Sequence, residues 1–243
     1  MERYSPVLQL IALFLLPYLL SHNLANTTID LKTDESSLLA FKSHITNDTL
    51  RKNWTTKTSI CNWIGVTCGS RHRRVVALNI SYMFLEGTIP PHVGNLSFLV
   101  SLNITGNRFH GDLPEELGHL RRVRVLDFSN NSFAGELPRT WFVNVTDGLE
   151  ELYLSYNNFH GTIPHEIVHL SNLRVLHMSY NKLSGQIPAS TLSQCSQLQE
   201  LSLSSNSFSG ALPREIGNMT QLQEFYVYNN SITGMIFLCV SCI

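Results

Sequence analysis

The sequence has little charge of either sign. Only 14% of its 243 residues are Asp, Glu, Lys or Arg, and the formal net charge is −1. A nucleic-acid-binding protein needs a clustered basic surface, and the one dense basic run, at residues 71–74, is short and typical of a solvated turn. With 43% hydrophobic residues the chain is too apolar to be disordered. These features predict a folded protein without a nucleic-acid partner.

The chain also lacks an apolar run long enough to cross a bilayer, which takes about 20 residues. Its N-terminal segment is mostly apolar from Val7 to Leu20 and follows the basic Arg3. A short apolar stretch of this kind is typical of a secretory signal peptide. We therefore assign residues 1–25 to a signal peptide cleaved near Ala25, with an uncleaved membrane anchor as the alternative.

Cysteines are scarce, and two of the five lie close together in CNWIGVTC. An oxidising compartment would pair Cys61 with Cys68, and closing so small a loop would stabilise the fold by about 2–3 kcal/mol. Cys195 is predicted to be a buried thiol, whereas Cys239 and Cys242 form a C-x-x-C without the second pair that zinc needs.

Asn-x-Ser/Thr glycan acceptors also favour export. They begin at Asn26, Asn47, Asn53, Asn79, Asn95, Asn103, Asn130, Asn144, Asn218 and Asn229.

Catalytic motifs are almost absent, and no glycine-rich phosphate loop or kinase motif occurs. One stretch, IPHEIVHL, contains the H-E-x-x-H pattern at residues 165–169. In that pattern two histidines one helical turn apart bind zinc and the glutamate activates water. A zinc hydrolase needs a full helix and a third ligand within reach, whereas the repeat described next places these letters in a short turn. We therefore expect no catalytic residue, metal or cofactor.

What the chain does have is an internal repeat of 24 to 26 residues from Val75 onward. LVSLNITGNRFHGDLPEELGHLRR, LEELYLSYNNFHGTIPHEIVHLSN and LQELSLSSNSFSGALPREIGNMTQ align without gaps. Alternating leucines such as Leu152 and Leu154 predict a short, half-buried strand. The asparagine that follows, such as Asn107, is expected to close a turn by hydrogen-bonding to nearby backbone. No unit can bury its leucines alone, so the units must stack into a solenoid.

The repeat L-x-x-L-x-L-x-x-N-x-L-x-G-x-I-P-x-x-L-G-x-L resembles the plant-specific leucine-rich repeat, and residues 34–68 resemble the N-terminal cap of plant leucine-rich-repeat receptor kinases. The resemblance implies an α/β repeat solenoid: a curved leucine-rich-repeat coil with a parallel inner β-sheet, short helical turns on the convex side and a helical, disulfide-bonded cap. The cap would span residues 26–70. About seven repeats would span residues 71–236, the last one incomplete.

The sequence also supports a prediction for each end of the solenoid. In the cap, Thr33 is expected to start a helix whose Leu38, Phe41 and Ile45 form one apolar stripe. At the other end, residues 237–243 form an aberrant apolar tail. The resembled receptors continue through more repeats, a membrane helix and a kinase, so we interpret the chain as a truncated ectodomain. Membrane association would then come only through missing C-terminal sequence or an uncleaved N-terminal segment.

The outward-facing positions of the inner strands are small and polar in the first repeats, and aromatic or acidic in the later ones. Receptors of the resembled family bind peptides or other proteins on such surfaces, which implies a peptide or protein ligand and a co-receptor of similar fold as partners. Alternatively, the tyrosines stack between neighbouring repeats, and glutamates and arginines pair across them. A third alternative is that the ligand binds another surface or repeats that are absent here. The predicted ligand-binding residues are Tyr153, His177, Tyr226, Tyr228, Glu151, Glu200 and Glu224, flanked by Tyr156, Tyr180, Arg124 and Arg174.

These inferences predict a non-catalytic extracellular recognition module that binds a peptide or protein ligand. It would be secreted or would stand on the extracellular face of the plasma membrane, as in a plant receptor-like kinase of defence or developmental signalling. The alternative is a free-standing secreted leucine-rich-repeat inhibitor or decoy.

Overall fold

The computed structural model describes residues 31–46, 50, 52–145 and 148–233. Several predicted features lie outside these residues: the signal peptide, the glycan acceptors Asn26 and Asn47, and the apolar tail with Cys239 and Cys242. Among the described residues, no helix combines the length and the apolar character that crossing a membrane requires.

The inner face is an eight-stranded sheet, as the alternating leucines predict. Seven of its strands are parallel and in register, so that Leu152 pairs with Leu126 on one side and Leu176 on the other. The cap contributes the eighth strand, Val66–Cys68, which runs antiparallel to the first repeat strand. We number repeats 1 to 7 by their inner strands: Val75–Asn79, Ser101–Asn103, Val125–Asp127, Glu151–Tyr153, Val175–His177, Glu200–Ser202 and Glu224–Tyr226.

The cap shares its core with the repeats. Its helix, α1, covers residues 31–43, and all three residues of the predicted apolar stripe are buried. The ring centroid of Phe41 lies 5.7 Å from that of Phe109 in repeat 2, which joins the two parts. The prediction that Thr33 starts this helix is wrong, because residues 31 and 32 are already helical and Thr33 lies inside it.

A buried ion pair also connects the cap to repeat 1. The Arg74 guanidinium donates two hydrogen bonds to the Asp34 carboxylate, at 2.7 Å and 2.8 Å. Their side chains are 5% and 0% exposed. The same carboxylate accepts the backbone N–H of Val75, the first residue of the repeat 1 strand, at 2.9 Å. Asp34 therefore pairs with the charge of Arg74 and holds the backbone at the start of the repeat 1 strand.

The predicted disulfide is present between Cys61 and Cys68. It closes a loop that starts within a short 3₁₀ turn, Ile60–Asn62, and contains Trp63. The ring of Trp63 stacks on Trp54 with centroids 5.4 Å apart. The disulfide and the tryptophan pair together fix the segment between α1 and the first strand.

Each inner strand leads through a turn into a second short strand, and in repeats 1 to 6 a convex-side turn or short helix follows. The second strands form two further sheets of three and four strands, which the repeat pattern did not predict. They are Glu86–Gly87, Arg108–Gly111, Ser132–Phe133, His160–Gly161, Lys182–Gly185, Ser207–Ala211 and Ser231–Thr233. The convex side carries 3₁₀ turns at Pro91–Asn95, Glu115–His119, His165–His169 and Arg214–Asn218, and two short helices, α2 (Arg139–Asn144) and α3 (Ala189–Leu192).

A ladder of asparagines ties each repeat to the one before it. Asn157 Nδ2 donates to two carbonyls of its own repeat at 3.2 Å and 3.3 Å, and to the carbonyl of Phe128 in repeat 3 at 2.9 Å. Its Oδ1 accepts the N–H of Phe133, also in repeat 3, at 3.0 Å. The predicted role in the turn is confirmed, and the bonds to the preceding repeat are additional. Equivalent bonds are made by Asn107, Asn131, Asn181, Asn206 and Asn230.

Cys195 is a buried thiol, as predicted. It is 3% exposed, and its thiol donates to the carbonyl of Ile167 at 3.4 Å. Burial disfavours the charged thiolate and raises the pKa of Cys195 to about 11.

We expect Cys195 to react slowly with thiol reagents in the native protein, because the thiolate is the reactive form. At pH 8 its ionised fraction should be about a hundredfold below that of an ordinary cysteine. The measurement is the rate of iodoacetamide labelling of the Cys195 peptide, followed by mass spectrometry, in buffer and in guanidinium. A native rate within about threefold of the denatured rate would contradict the burial.

Candidate functional site

The parallel register brings the predicted ligand-binding residues onto one surface. Residues at equivalent positions of neighbouring strands pair directly, and alternate residues face the same side of the sheet. Outward-facing side chains therefore form columns that run from repeat to repeat. The first column contains Glu151, Val175, Glu200 and Glu224, and the second contains Tyr153, His177, Ser202 and Tyr226.

Contacts link the two columns. The Tyr153 hydroxyl donates to Glu151 Oε2 at 3.0 Å, and the Tyr153 ring meets the His177 ring edge to face, with centroids 5.2 Å apart. His177 Nε2 lies 3.2 Å from Glu200 Oε2. These two atoms are close enough for an ion pair, but they are not aligned for a hydrogen bond, and the described residues offer Nε2 no other partner.

Repeat 7 has the same tyrosine–glutamate pair as repeat 4, since the Tyr226 hydroxyl donates to Glu224 Oε2 at 3.1 Å. The electrostatics agree with these bonds. Burial, followed by the hydrogen bond to Glu151, raises the pKa of the Tyr153 phenol above its ordinary value. The hydrogen bond to Glu224 is the main cause of the raised pKa of Tyr226. Both phenols therefore remain protonated donors to their carboxylates at neutral pH.

A third row of aromatic residues lies just beyond the strands, directly before the asparagine ladder. Tyr156 and Tyr180 stack with centroids 4.3 Å apart and an angle of 8° between their planes, and they are 53% and 40% exposed. Tyr82 holds the equivalent position in repeat 1 and is 66% exposed. All three have φ between 54° and 58°, a left-handed conformation that is rare for bulky residues and concentrates at functional sites.

Tyr82 was missed as a site residue, although the sequence carried a signal for its row. Other repeats place Gly106, Asn130 and Asn229 at the same position, and glycine and asparagine are the residues that adopt positive φ most readily. The aromatic side chains at this position are therefore exposed despite an unfavourable backbone. Burial of hydrophobic surface does not account for them.

The second column from His177 to Tyr226 and this row line one open concavity of about 610 Å³. Two polar atoms of its lining are buried without a hydrogen-bond partner, Thr105 Oγ1 and His177 Nε2. Thr105 is 9% exposed, so its hydroxyl has little access to solvent except through the concavity. The lining includes Tyr156, His177, Tyr180, Ser202, Tyr226 and Tyr228.

The sequence allows two arrangements of this surface, one in which its side chains are free to bind a ligand and one in which they pair with each other, and the contacts show elements of both. Tyrosines do stack between neighbouring repeats, but the arginines do not pair with the glutamates of the first column. Arg124 instead pairs with Glu150 at 2.9 Å, and Arg174 donates to Gln199 at 3.3 Å. The carboxylates of the first column thus have no arginine partner among the described residues.

The H-E-x-x-H stretch lies away from this surface, in the convex turn His165–His169, and the turn is 3₁₀ rather than α-helical. With 3.0 residues per turn, side chains four residues apart point about 120° away from each other instead of lying on one face. His165 and His169 are both exposed. Among the described residues, no group of three His, Cys, Asp or Glu side chains is placed to hold a metal ion.

The predicted glycan acceptors leave one part of the solenoid free. Asn79 and Asn103 lie on the inner strands of repeats 1 and 2, whereas Asn95, Asn144 and Asn218 lie in convex elements. No acceptor sequence occurs between Asn144 and Asn218. Repeats 4 and 5, which carry Tyr153, Tyr156, His177 and Tyr180, therefore have no acceptor on any face. Asn218 belongs to the convex turn of repeat 6, Asn229 follows Tyr228 in repeat 7, and Asn130 lies in the left-handed row of repeat 3. Glycosylation itself stays a prediction.

Comparisons with known proteins identify the family. A family model for the leucine-rich-repeat N-terminal domain matches residues 31–69, and leucine-rich-repeat models match residues 98–120, 121–183 and 197–219. The BIR2 ectodomain from Arabidopsis thaliana superposes with a TM-score of 0.63 at 30% identity, over 71% of this chain and 92% of that one. The chain belongs to the leucine-rich-repeat family.

The relatives of this leucine-rich-repeat chain are plant proteins. The LRR receptor-like serine/threonine-protein kinase EFR of Arabidopsis thaliana is 46% identical over 71 residues, which are 28% of this chain and 7% of EFR. Polygalacturonase inhibitor 2 of the same species is 36% identical over 72 residues, 29% of this chain and 22% of the inhibitor. The chain thus spans a small part of the length of the curated relatives it matches.

Two solved structures of similar leucine-rich-repeat proteins are complexes. The PEPR1–AtPEP1 complex superposes with a TM-score of 0.78 at 32% identity, over 83% of this chain and 29% of that one. The Arabidopsis receptor kinase HAESA, in complex with the peptide hormone IDA and the co-receptor SERK1, superposes with a TM-score of 0.74 at 30% identity, over 81% and 33% of the two chains. The fold of this chain is therefore that of plant receptor ectodomains.

Proposed function

We propose that this chain is a non-catalytic extracellular recognition module, either secreted or on the outer face of the plasma membrane. Its inner sheet at repeats 4 to 7 would bind a peptide or protein ligand. The observation that carries the proposal is the exposed aromatic and acidic surface on a rigid, in-register sheet. Aromatic side chains held in place by hydrogen bonds are the residues that most often dominate recognition surfaces.

Two further observations support this location. The part of the aromatic surface in repeats 4 and 5 carries no glycan acceptor, so a partner could approach it there without displacing carbohydrate. The HAESA structure holds a peptide hormone, and the PEPR1 structure holds AtPEP1, on chains of the same fold at 30% identity or more. The HAESA complex also contains a co-receptor, which supports a second leucine-rich-repeat protein as a partner. The 3₁₀ geometry of the H-E-x-x-H turn supports the non-catalytic part of the proposal.

We expect the triple variant Tyr153→Ala, His177→Ala, Tyr226→Ala to lose at least about tenfold in affinity for peptides selected on the wild-type chain, because aromatic anchors dominate such interfaces. The probe is a random twelve-residue peptide library displayed on phage, and selected peptides are measured by calorimetry against the whole secreted chain. Thermal unfolding shows whether the variant keeps its fold.

The matched control changes three exposed convex residues, His119→Ala, Val143→Ala and His169→Ala. This control should bind the selected peptides as the wild type does. Unchanged affinity of the inner-sheet variant, with its fold intact, would rule this surface out.

A free-standing inhibitor is the second candidate, and the similarity to polygalacturonase inhibitor 2 favours it. If the inner sheet binds an enzyme, the whole chain should slow the hydrolysis of polygalacturonic acid by a microbial polygalacturonase, and the triple variant should not. Peptide binding without any inhibition would favour the receptor-type function.

A further inference from the structure

The inner sheet carries a one-sided charge. Its outward-facing positions hold four carboxylates, from Asp127, Glu151, Glu200 and Glu224, and all four lie within repeats 3 to 7. The same positions of the seven described strands contain no Lys or Arg. His177 is the one basic side chain among them.

The donors that hold these carboxylates in place are mostly neutral. Tyrosine hydroxyls bond to Glu151 and Glu224 at 3.0 Å and 3.1 Å, and a backbone N–H at Ser129 donates to Asp127 at 3.0 Å. A neutral donor orients a carboxylate and leaves its negative charge in place. Glu200 has no Lys or Arg partner among the described residues, and its basic neighbour is His177 Nε2 at 3.2 Å. Carboxylates that are already held in place bind a cation more strongly than mobile carboxylates do, because binding then costs no side-chain conformational entropy.

Repeat 6 forms a gap in the second column, where Ser202 stands between His177 of repeat 5 and Tyr226 of repeat 7. Neighbouring strands lie about 4.8 Å apart, so the backbone positions of His177 and Tyr226 stand about 9–10 Å apart, which is wide enough for one side chain. Beyond this gap the Tyr180 hydroxyl is within hydrogen-bonding reach of Tyr228 and Ser205. Glu200 holds the first-column position of the same strand. Tyr226 and Tyr228 are 45% and 59% exposed beside the gap.

We propose that this gap at repeats 5 to 7 binds a lysine or arginine side chain of an extended peptide. Glu200 and Glu224 would take the positive charge, and the exposed faces of Tyr226 and Tyr228 would cover the aliphatic stem and stack on the cation. The buried, unpartnered Thr105 hydroxyl lines the same concavity and supplies a hydrogen bond for the ligand farther along. The inference rests on the proposed function and specifies the chemistry of its ligand.

The test uses the whole chain and the same random peptide library, now read by sequencing the bound fraction. Wild-type protein should enrich Lys and Arg at one position by about threefold or more over the input library. The double variant Glu200→Gln, Glu224→Gln keeps side-chain shape and should lose that enrichment. The affinity of the double variant for a basic peptide selected on the wild type should be lower by about tenfold or more. Binding of that peptide to the wild type should weaken in 0.5 M salt, because salt screens a charge pair.

The matched control is Glu115→Gln, Glu215→Gln, which removes two carboxylates from convex turns and should leave enrichment unchanged. One outcome would overturn this inference and leave the proposed function standing. In that outcome the wild type binds peptides and the aromatic triple variant does not, but the bound peptides show no enrichment in Lys or Arg. Enrichment that persists in the Gln double variant would also overturn it. If wild type retains no more peptide than the triple variant, the proposed function fails, and the inference fails with it.

Discussion

Arg74→Met is expected to lower the free energy of unfolding by about 3–5 kcal/mol, because it leaves a charged Asp34 buried without its partner. The Asp34 side chain is 0% exposed and its carboxylate accepts two bonds from Arg74, so water cannot replace them. Methionine fills a similar volume, which keeps the packing against the neighbouring Phe98 ring, 4.7 Å from the guanidinium, largely in place. The measurement is urea unfolding followed by circular dichroism.

The control for this prediction is Arg71→Met, which removes the same charge from an exposed position three residues earlier. Its effect should stay within about 0.5 kcal/mol, as for most surface substitutions. Removing both charges, with Asp34→Leu added to Arg74→Met, should recover part of the loss, although the Val75 N–H then lacks its acceptor. If Arg74→Met is as mild as Arg71→Met, the ion pair does not hold the cap.

Asn157→Ala should destabilise the solenoid by about 2–4 kcal/mol. The side chain donates to three carbonyls and accepts one N–H, and each such bond contributes about 1 kcal/mol net, with a further cost for buried groups that lose their partner. Because the bonds join repeats 3 and 4, the variant should also broaden the unfolding transition, as repeat arrays do when one interface weakens.

Asn158→Ala provides the matched comparison, since Asn158 is the next residue and only partly exposed. We expect a change below about 1 kcal/mol there. Equal losses at the two positions would mean that the asparagine ladder adds nothing beyond ordinary side-chain packing.

Much of the fold could be predicted because the repeat makes every local preference recur. The alternation around Leu152, the turn at Asn107 and the pairing of Cys61 with Cys68 each follow from residues close in sequence. The Asp34–Arg74 pair could not be predicted, because its members are 40 residues apart and no periodicity connects them. The second set of strands was also missed, since two-residue strands such as His160–Gly161 are too short to show an alternating pattern.

The candidate site, too, could be predicted from the sequence only in part. Which residues share a column could be predicted, because outward-facing positions alternate along each strand and the register is constant. Which side chains touch could not, because those contacts depend on rotamers. His177 approaches Glu200 of the next repeat, whereas Tyr153 bonds to Glu151 of its own strand. The 3₁₀ geometry at His165–His169 was likewise not readable from the sequence, although the repeat alignment had already placed that segment in a turn.

The asparagine ladder has a consequence for how such proteins diversify. Asn157 reaches back to Phe128 and Phe133 of the adjacent unit, and the other ladder asparagines do the same. Each junction is therefore made of interchangeable parts, so a recombination event that inserts or deletes one whole unit re-forms the same bonds at the new boundary. Lineages of these proteins can lengthen or shorten every column in a single genetic step, while point substitutions refine the chemistry at each position.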